Sequence, residues 1–254
     1  MSVASLINNF AAGTSAGAFP HIRRVDVVAG LNDRMADPWK QNQGTASLCG
    51  PSAFLYCLMH DRPEIYVQYV IDLFEKGKAK IGSLEIHPSE KCRRYSPNPN
   101  DIAAVDWIAL ASLRDSENSV FDYSSVKDTA SGITMPHSMA AWFRAAGYSH
   151  VKNVTNVFFT KGRSDIDTVH HLTLQMRRVC LFVNMAVVDT PQDLGHTFSP
   201  NHWIVLLAPG APVTNDNFNI NIYSWGREFK VPKTAPMPVK GFCHGFYGYV
   251  TAVI

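Results

Sequence analysis

The apolar residues of this chain change their period between its first half and its last third, and that change limits the fold more than any single motif does. Between Glu64 and Lys78, Ile65, Tyr69 and Leu73 recur every four residues with Val70 and Phe74 beside them, which is the stripe of an amphipathic helix started by Pro63 and stopped by Gly77 and Gly82. Asp101–Arg114 (DIAAVDWIALASLR), His137–Ala146 and Asp165–Met176 read as further helices, the first capped by Asn100 or Asp101. From Val179 onward the pattern is different. Val179–Val188 and His202–Ala208 are continuous apolar runs, Phe218–Ser224 alternates, and Phe229–Val231 and Gly245–Ile254 add two more strand segments. Helices followed by strands joined through turn-rich loops predict an α+β fold, with a helical first half packed on an antiparallel sheet. Residues 1–40, interrupted by Gly13, Gly17 and Gly30, predict a largely irregular arm with one short helix or strand near Ile22–Val28. Residues 41–254 form the main domain, helical to about 178 and sheet from 179.

The stretch Gln43–Leu58, QGTASLCGPSAFLYCL, carries the chemistry. An extended approach breaks at Cys49-Gly50-Pro51, where Gly50 frees the backbone, and becomes an apolar helix. A thiol at or just before a helix N-terminus meets the positive end of the macrodipole and the unbonded N–H groups, which favour thiolate over thiol. A nucleophilic thiol needs a base, usually histidine, remote in sequence. His202 opens a hydrophobic strand directly after a proline-containing loop, so a rigid element would hold its imidazole. His196 is the second candidate.

Other readings are bounded by composition. A net charge of +2, with no basic run longer than Arg23-Arg24, Arg93-Arg94 or Arg177-Arg178, gives no footprint for nucleic acid, and these pairs read as solvated faces. The five cysteines, 49, 57, 92, 180 and 243, are odd in number and contain no CxxC pair, so reduced thiols are expected rather than a disulfide framework or a zinc ribbon. Cys57 and Cys180 read as core, and Cys92, beside Arg93 and Arg94, as an exposed loop thiol. No apolar stretch approaches a membrane span, and Asn8-Asn9 with no basic segment before it argues against a cleaved signal.

Taken together, Gln43, Cys49-Gly50-Pro51, His202-Trp203 and Trp225-Gly226 resemble the papain-like cysteine peptidases, nearest in pattern to those that process bacteriocin leaders. The resemblance covers roughly residues 40–231. It implies a papain-like fold, Cys49 as nucleophile, His202 as base, and Gln43 as oxyanion donor together with the Cys49 N–H. The family orients its histidine with an Asn or Asp two residues before Trp-Gly, and Tyr223 stands there instead. Ser224, Tyr223 and Asn221 remain the choices for that role, with Ser224 preferred. The expected activity is amide-bond cleavage in a protein or peptide substrate through a thiolate–imidazolium pair, with no cofactor and no metal. Expected partners are that substrate and an immunity or chaperone protein, with neither nucleic acid nor membrane. The absence of signal, pro-segment and disulfides is similar to an effector or toxin folded in the cytoplasm and exported without a cleaved leader. Alternatives are a peptidoglycan-peptide amidase, a Gln/Asn deamidase on the same dyad, and a binding protein on a decayed scaffold. Arg93, Arg94, Asp189 and Asp193 are candidates for lining a substrate cleft.

Overall fold

The computed structural model describes the chain except for residues 118–132, 176, 190–198, 210–216 and 232–236. It is a mixed α and β structure, with helices in its first half and an antiparallel sheet in its second. Contacts divide it into two compact units, Met1–Thr134 with Trp225–Arg227, and Met135–Ser224 with Glu228–Ile254. The division falls near residue 134 rather than 178, so the helices and strand of residues 136–174 belong with the sheet. Among the described residues no helix is long and apolar enough to cross a membrane.

In the first unit, helices α1 (Val3–Ala12) and α2 (Arg24–Ala36) occupy the expected arm. The arm is helical rather than irregular, because two of its glycines serve packing: Phe74 lies against Gly17 and Val105 against Gly30. Ile7, Phe10, Val27 and Leu31 are buried. Arg24 is no solvated cation either. It lies over the rings of Phe10 and Phe74, pairs with Glu75 at 2.9 Å and donates to the carbonyls of Phe10 and Ser15. Helix α3 (Cys49–Asp61) is buried on all sides from Cys49 to Met59, and α4 (Pro63–Lys76) ends at Gly77 in the left-handed region. A hairpin, β1 (Ala79–Ile81) and β2 (Leu84–Ile86), turns at Gly82. Helix α5 (Glu90–Arg94), capped by the Ser89 hydroxyl, buries Cys92 fully, so the thiol expected on an exposed loop is core; the Trp107 indole donates to its carbonyl at 3.1 Å. One continuous helical stretch then begins with α6 (Ala104–Asp106), widens to π geometry over Trp107–Ala111 and closes with α7 (Ser112–Glu117). It starts two to three residues later than the Asn100 or Asp101 cap predicts, and Ala103 precedes it without a side-chain cap.

The second unit is built on a six-stranded sheet. Its strands are β3 (Ser149–Asn153), β4 (Arg178–Val183), β5 (His202–Pro209), β7 (Ile220–Ser224), β8 (Arg227–Val231) and β10 (Phe246–Val253), in the order β3-β10-β4-β5-β7-β8. A separate two-stranded piece pairs β6 (Asn217–Phe218) with β9 (Met237–Pro238). The apolar runs form the buried interior strands β4, β5 and β10, as a sheet covered on both faces requires. Across β4 and β5, Phe182 stacks on Trp203 at 4.5 Å. Strand β4 stops at Val183, short of the expected Val188, because the Asn184 side chain accepts the Ala186 N–H and starts a helical turn, α10 (Ala186–Asp189). Helices α8 (Pro136–Ala145), α9 (Arg163–Leu174) and α11 (Val239–Cys243) complete the unit. All five cysteines lie outside disulfides.

Candidate active site

Cys49 is the first residue of α3 and is 6% exposed. Leu48 leads into it with no side-chain cap, and the first intrahelical bond runs from the Ser52 N–H to the Leu48 carbonyl at 2.9 Å. The thiol therefore sits in the first turn, where the dipole and the N–H groups favour negative charge. The expected reason for Gly50 needs correction. It lies within the helix, and its special requirement is space: a methyl there would overlap the Cβ and Oγ1 of buried Thr134.

The segment before Cys49 is held by polar groups from three other elements. The Gln41 side chain donates to the Ser52 carbonyl at 2.9 Å, tying the segment to the first turn of α3. The Asn42 N–H donates to Asp106 Oδ2 at 3.1 Å. Asp106, wholly buried, also receives Arg34 in two bonds, Nε to Oδ1 at 3.2 Å and Nη2 to Oδ2 at 2.6 Å. Arg34 reaches Asp33 at 2.7 Å, and Lys40 reaches the other oxygen of Asp33 at 2.7 Å. Burial raises the Asp106 carboxyl above its ordinary value against the pull of Arg34, while burial of the guanidinium is more than offset by Asp106 together with Tyr66 and Asp33, which keeps it charged. A polar cavity of about 340 Å³ adjoins this network, with Lys40, Asn42, Gly44 and Asp101 in its lining. Gln43 is buried, and its Nε2 donates to the Ala46 carbonyl at 3.0 Å while its own carbonyl accepts the Ala46 N–H. A primary amide carries two N–H groups, and this bond engages one of them.

In the sheet unit, His202 opens β5 and is 3% exposed. Its Nε2 lies 2.7 Å from Ser224 Oγ, and both groups are buried. Register explains why serine meets it. Val205 pairs with Tyr223 and Leu206 with Ile222, so Ser224 falls opposite Ile204. Side chains alternate faces along a strand, so His202, Ile204 and Ser224 share one face, with the hydroxyl diagonal to the imidazole. Tyr223 points to the opposite face, and Asn221 is exposed across from Ala208. Burial governs the ring and lowers its pKa to about 3, so the imidazole is neutral at physiological pH. After Ser224 the chain reverses through Trp225 and Gly226, both with positive φ (49° and 69°), a two-residue hairpin turn of the type that usually carries Asn-Gly.

The structure thus brings Ser224 to His202 in the sheet unit and sets Cys49 and Gln43 on one segment of the helical unit. Arg34, Asp106 and Gln41 are the supporting residues that sequence reading missed. His196 and Asp193 lie outside the described residues, as does the side chain of Asp189. Arg94 is exposed and paired with Glu90 at 2.7 Å. Among the described residues no group of three or more His, Cys, Asp and Glu side chains is arranged to hold a metal ion. No protein-family model, curated protein or solved structure matches this chain.

Proposed function

We propose that the protein is a cysteine-dependent hydrolase of papain-like type, in which Cys49 attacks an amide carbonyl and His202 is its general base, oriented by Ser224. The buried hydrogen bond between His202 and Ser224 carries the reading. A histidine serves as a directed base only when one ring nitrogen is fixed by a partner, so that the other faces its proton donor in a known tautomer. In the tautomer this role needs, Nε2–H donates to Ser224 Oγ and the lone pair sits on Nδ1. The position of Cys49 at the head of an apolar helix gives independent support.

The low pKa of His202 alters one expectation. A neutral imidazole argues for a resting thiol and imidazole rather than a pre-formed ion pair. In this mechanism Nδ1 takes the Cys49 proton as sulfur bonds to the carbonyl carbon, and the C=O electrons move onto oxygen. The oxyanion is met by the Cys49 N–H and the second N–H of Gln43. The imidazolium, stabilised by the new negative charge, returns its proton to the leaving amine as the C–N bond breaks. Water then attacks the thioester with His202 again as base, releasing the acid and regenerating the thiol. Protein or peptide amides are the proposed substrate class.

A second reading, a binding protein on the same scaffold, is favoured by the burial of Cys49 and His202. Site-resolved alkylation by iodoacetamide at pH 7 separates the two, comparing the wild type with Cys49→Ala, His202→Ala and Ser224→Ala. The hydrolase reading expects Cys49 to be the fast site, slowed at least about tenfold in His202→Ala, consistent with typical general-base contributions. It also expects cleavage of a protein mixture that disappears in Cys49→Ala. If Cys49 alkylates at the same rate with and without His202, the hydrolase reading fails and the binding reading stands.

A further inference from the structure

Within the sheet unit, the loop between β3 and α9 presents two aromatic rings to solvent on a fixed frame. Phe158 is 81% exposed and Phe159 73%, and Phe158 is the most exposed large apolar side chain among the described residues. The backbone on both sides of the rings is pinned. The N–H groups of Val154 and Asn156 donate to the carbonyls of Tyr249 and Tyr247 at 2.9 and 2.8 Å, and the Lys161 N–H donates to that of Phe246 at 2.7 Å. Inside the loop, Asn156 Oδ1 accepts the N–H groups of both Phe158 and Phe159, at 2.8 and 3.1 Å. The side chain of Asn156 therefore shapes the tip.

Two features identify what such a tip fits. The first is size. Two phenylalanine rings supply roughly 300–400 Å², about half of the ~800 Å² that one side of a stable protein interface buries. The flanking residues Lys152, Asn153, Arg163 and Ser164 are exposed and polar, and Val154 and Val157 are only part-exposed, so the two rings are the fully exposed apolar side chains of this loop. A lipid interface asks for no complementary surface; a wedge of aromatic side chains with cations behind it is sufficient. The second is charge. Lys152, Lys161 and Arg163 flank the rings, while Asp165 and Asp167 follow on α9 and partly offset them, which leaves a small positive balance suited to an anionic headgroup layer. We propose that Phe158 and Phe159 form a membrane-interface wedge by which the sheet unit docks on anionic lipid. This departs from the sequence expectation of no membrane partner, which rested on the absence of a spanning segment, and a wedge needs no span. It stands independently of the hydrolase reading.

The test is co-sedimentation of the full chain with phosphatidylcholine vesicles containing about one-third phosphatidylserine, at about 2 mM accessible lipid and low salt, because two side chains anchor no more tightly than a single acyl chain. Wild type is expected to sediment with these vesicles and several-fold less with phosphatidylcholine alone or in about 0.5 M salt. Phe158→Ser/Phe159→Ser should lower the partition coefficient at least about tenfold, with an unchanged melting temperature since neither ring is packed. Lys161→Glu should weaken it several-fold. Leu174→Ser, which removes an exposed apolar side chain elsewhere in the same unit, should leave it unchanged. The proposal is overturned if wild type stays in the supernatant at this lipid concentration, or if the double variant sediments like wild type. An equal loss in Leu174→Ser would reveal general stickiness and overturn it as well.

Discussion

In the helical unit, the segment before Cys49 is fixed by charge and by backbone approach: an arginine–aspartate pair buried beneath Asn42, a glutamine tied to the first turn of α3, and a glycine against Thr134. In the sheet unit, His202 is fixed by register, through strand pairing that places one hydroxyl diagonal to it among apolar neighbours. The two designs fail differently. A buried ion pair is strongly destabilising when one partner is lost, because the other is left charged and unsolvated. A register-held side chain depends on the whole strand, and single changes near it disturb only local polar satisfaction.

The sharpest break in this contrast is Arg34→Met. It strands the wholly buried Asp106 and should destabilise the protein by about 3–5 kcal/mol, read as a fall in the urea midpoint. A loss below about 1 kcal/mol, the range of exposed pairs, would show that the network behaves as a surface one. Next is Gly50→Ala, which forces a methyl into Thr134 and should cost about 1–3 kcal/mol by overpacking. Thr134→Ser should not relieve it, since the clash includes the Thr134 Cβ, which serine keeps, whereas Thr134→Gly should.

Acid tests the sheet unit. The folded pKa of His202, about 3, lies below its ordinary value of 6.5, so the unfolded chain binds a proton across this window that the folded chain refuses. The stabilisation from keeping His202 neutral is complete above pH 6.5 and is lost as pH falls toward 3, amounting to about 2 kcal/mol at pH 5. Urea midpoints at pH 7 and pH 5 should therefore differ more in wild type than in His202→Gln; parallel shifts would mean the ring is hydrated. The smallest effect is Ser224→Ala, which leaves a buried ring nitrogen without its hydroxyl and should cost about 1–2 kcal/mol. The 15N shift of His202 Nε2 should move with it. Tyr223→Phe, on the other face, should leave that shift in place.

What the sequence revealed follows the same division. Local signals were legible: Cys49 opens a helix, the pattern at 63–77 is a helix ending at a left-handed glycine, and His202 heads an apolar strand. The choice among Ser224, Tyr223 and Asn221 stayed open because a two-residue period turns a one-residue uncertainty in register into opposite faces. Arg34 and Asp106 were illegible for another reason. They lie 72 residues apart, and a charged residue on a helix reads as its solvent face until the partner is seen. Cys92 misled because its neighbours Arg93 to Asn100 are polar and proline-rich, although the Trp107 indole holds its carbonyl inside. The papain-like resemblance rests on four short motifs, and their chemistry is what the alkylation experiment addresses.

Trp225 adjoins Ser224 with a backbone torsion that bulky side chains adopt rarely. An engineer asked only to raise the melting point would begin here, replacing the residue with asparagine and expecting a gain. Such a gain would come from the part of the chain that delivers the serine hydroxyl to the imidazole. Libraries screened for heat tolerance alone should therefore enrich substitutions at position 225, and the enriched clones are where drift in the alignment of the histidine should first be sought.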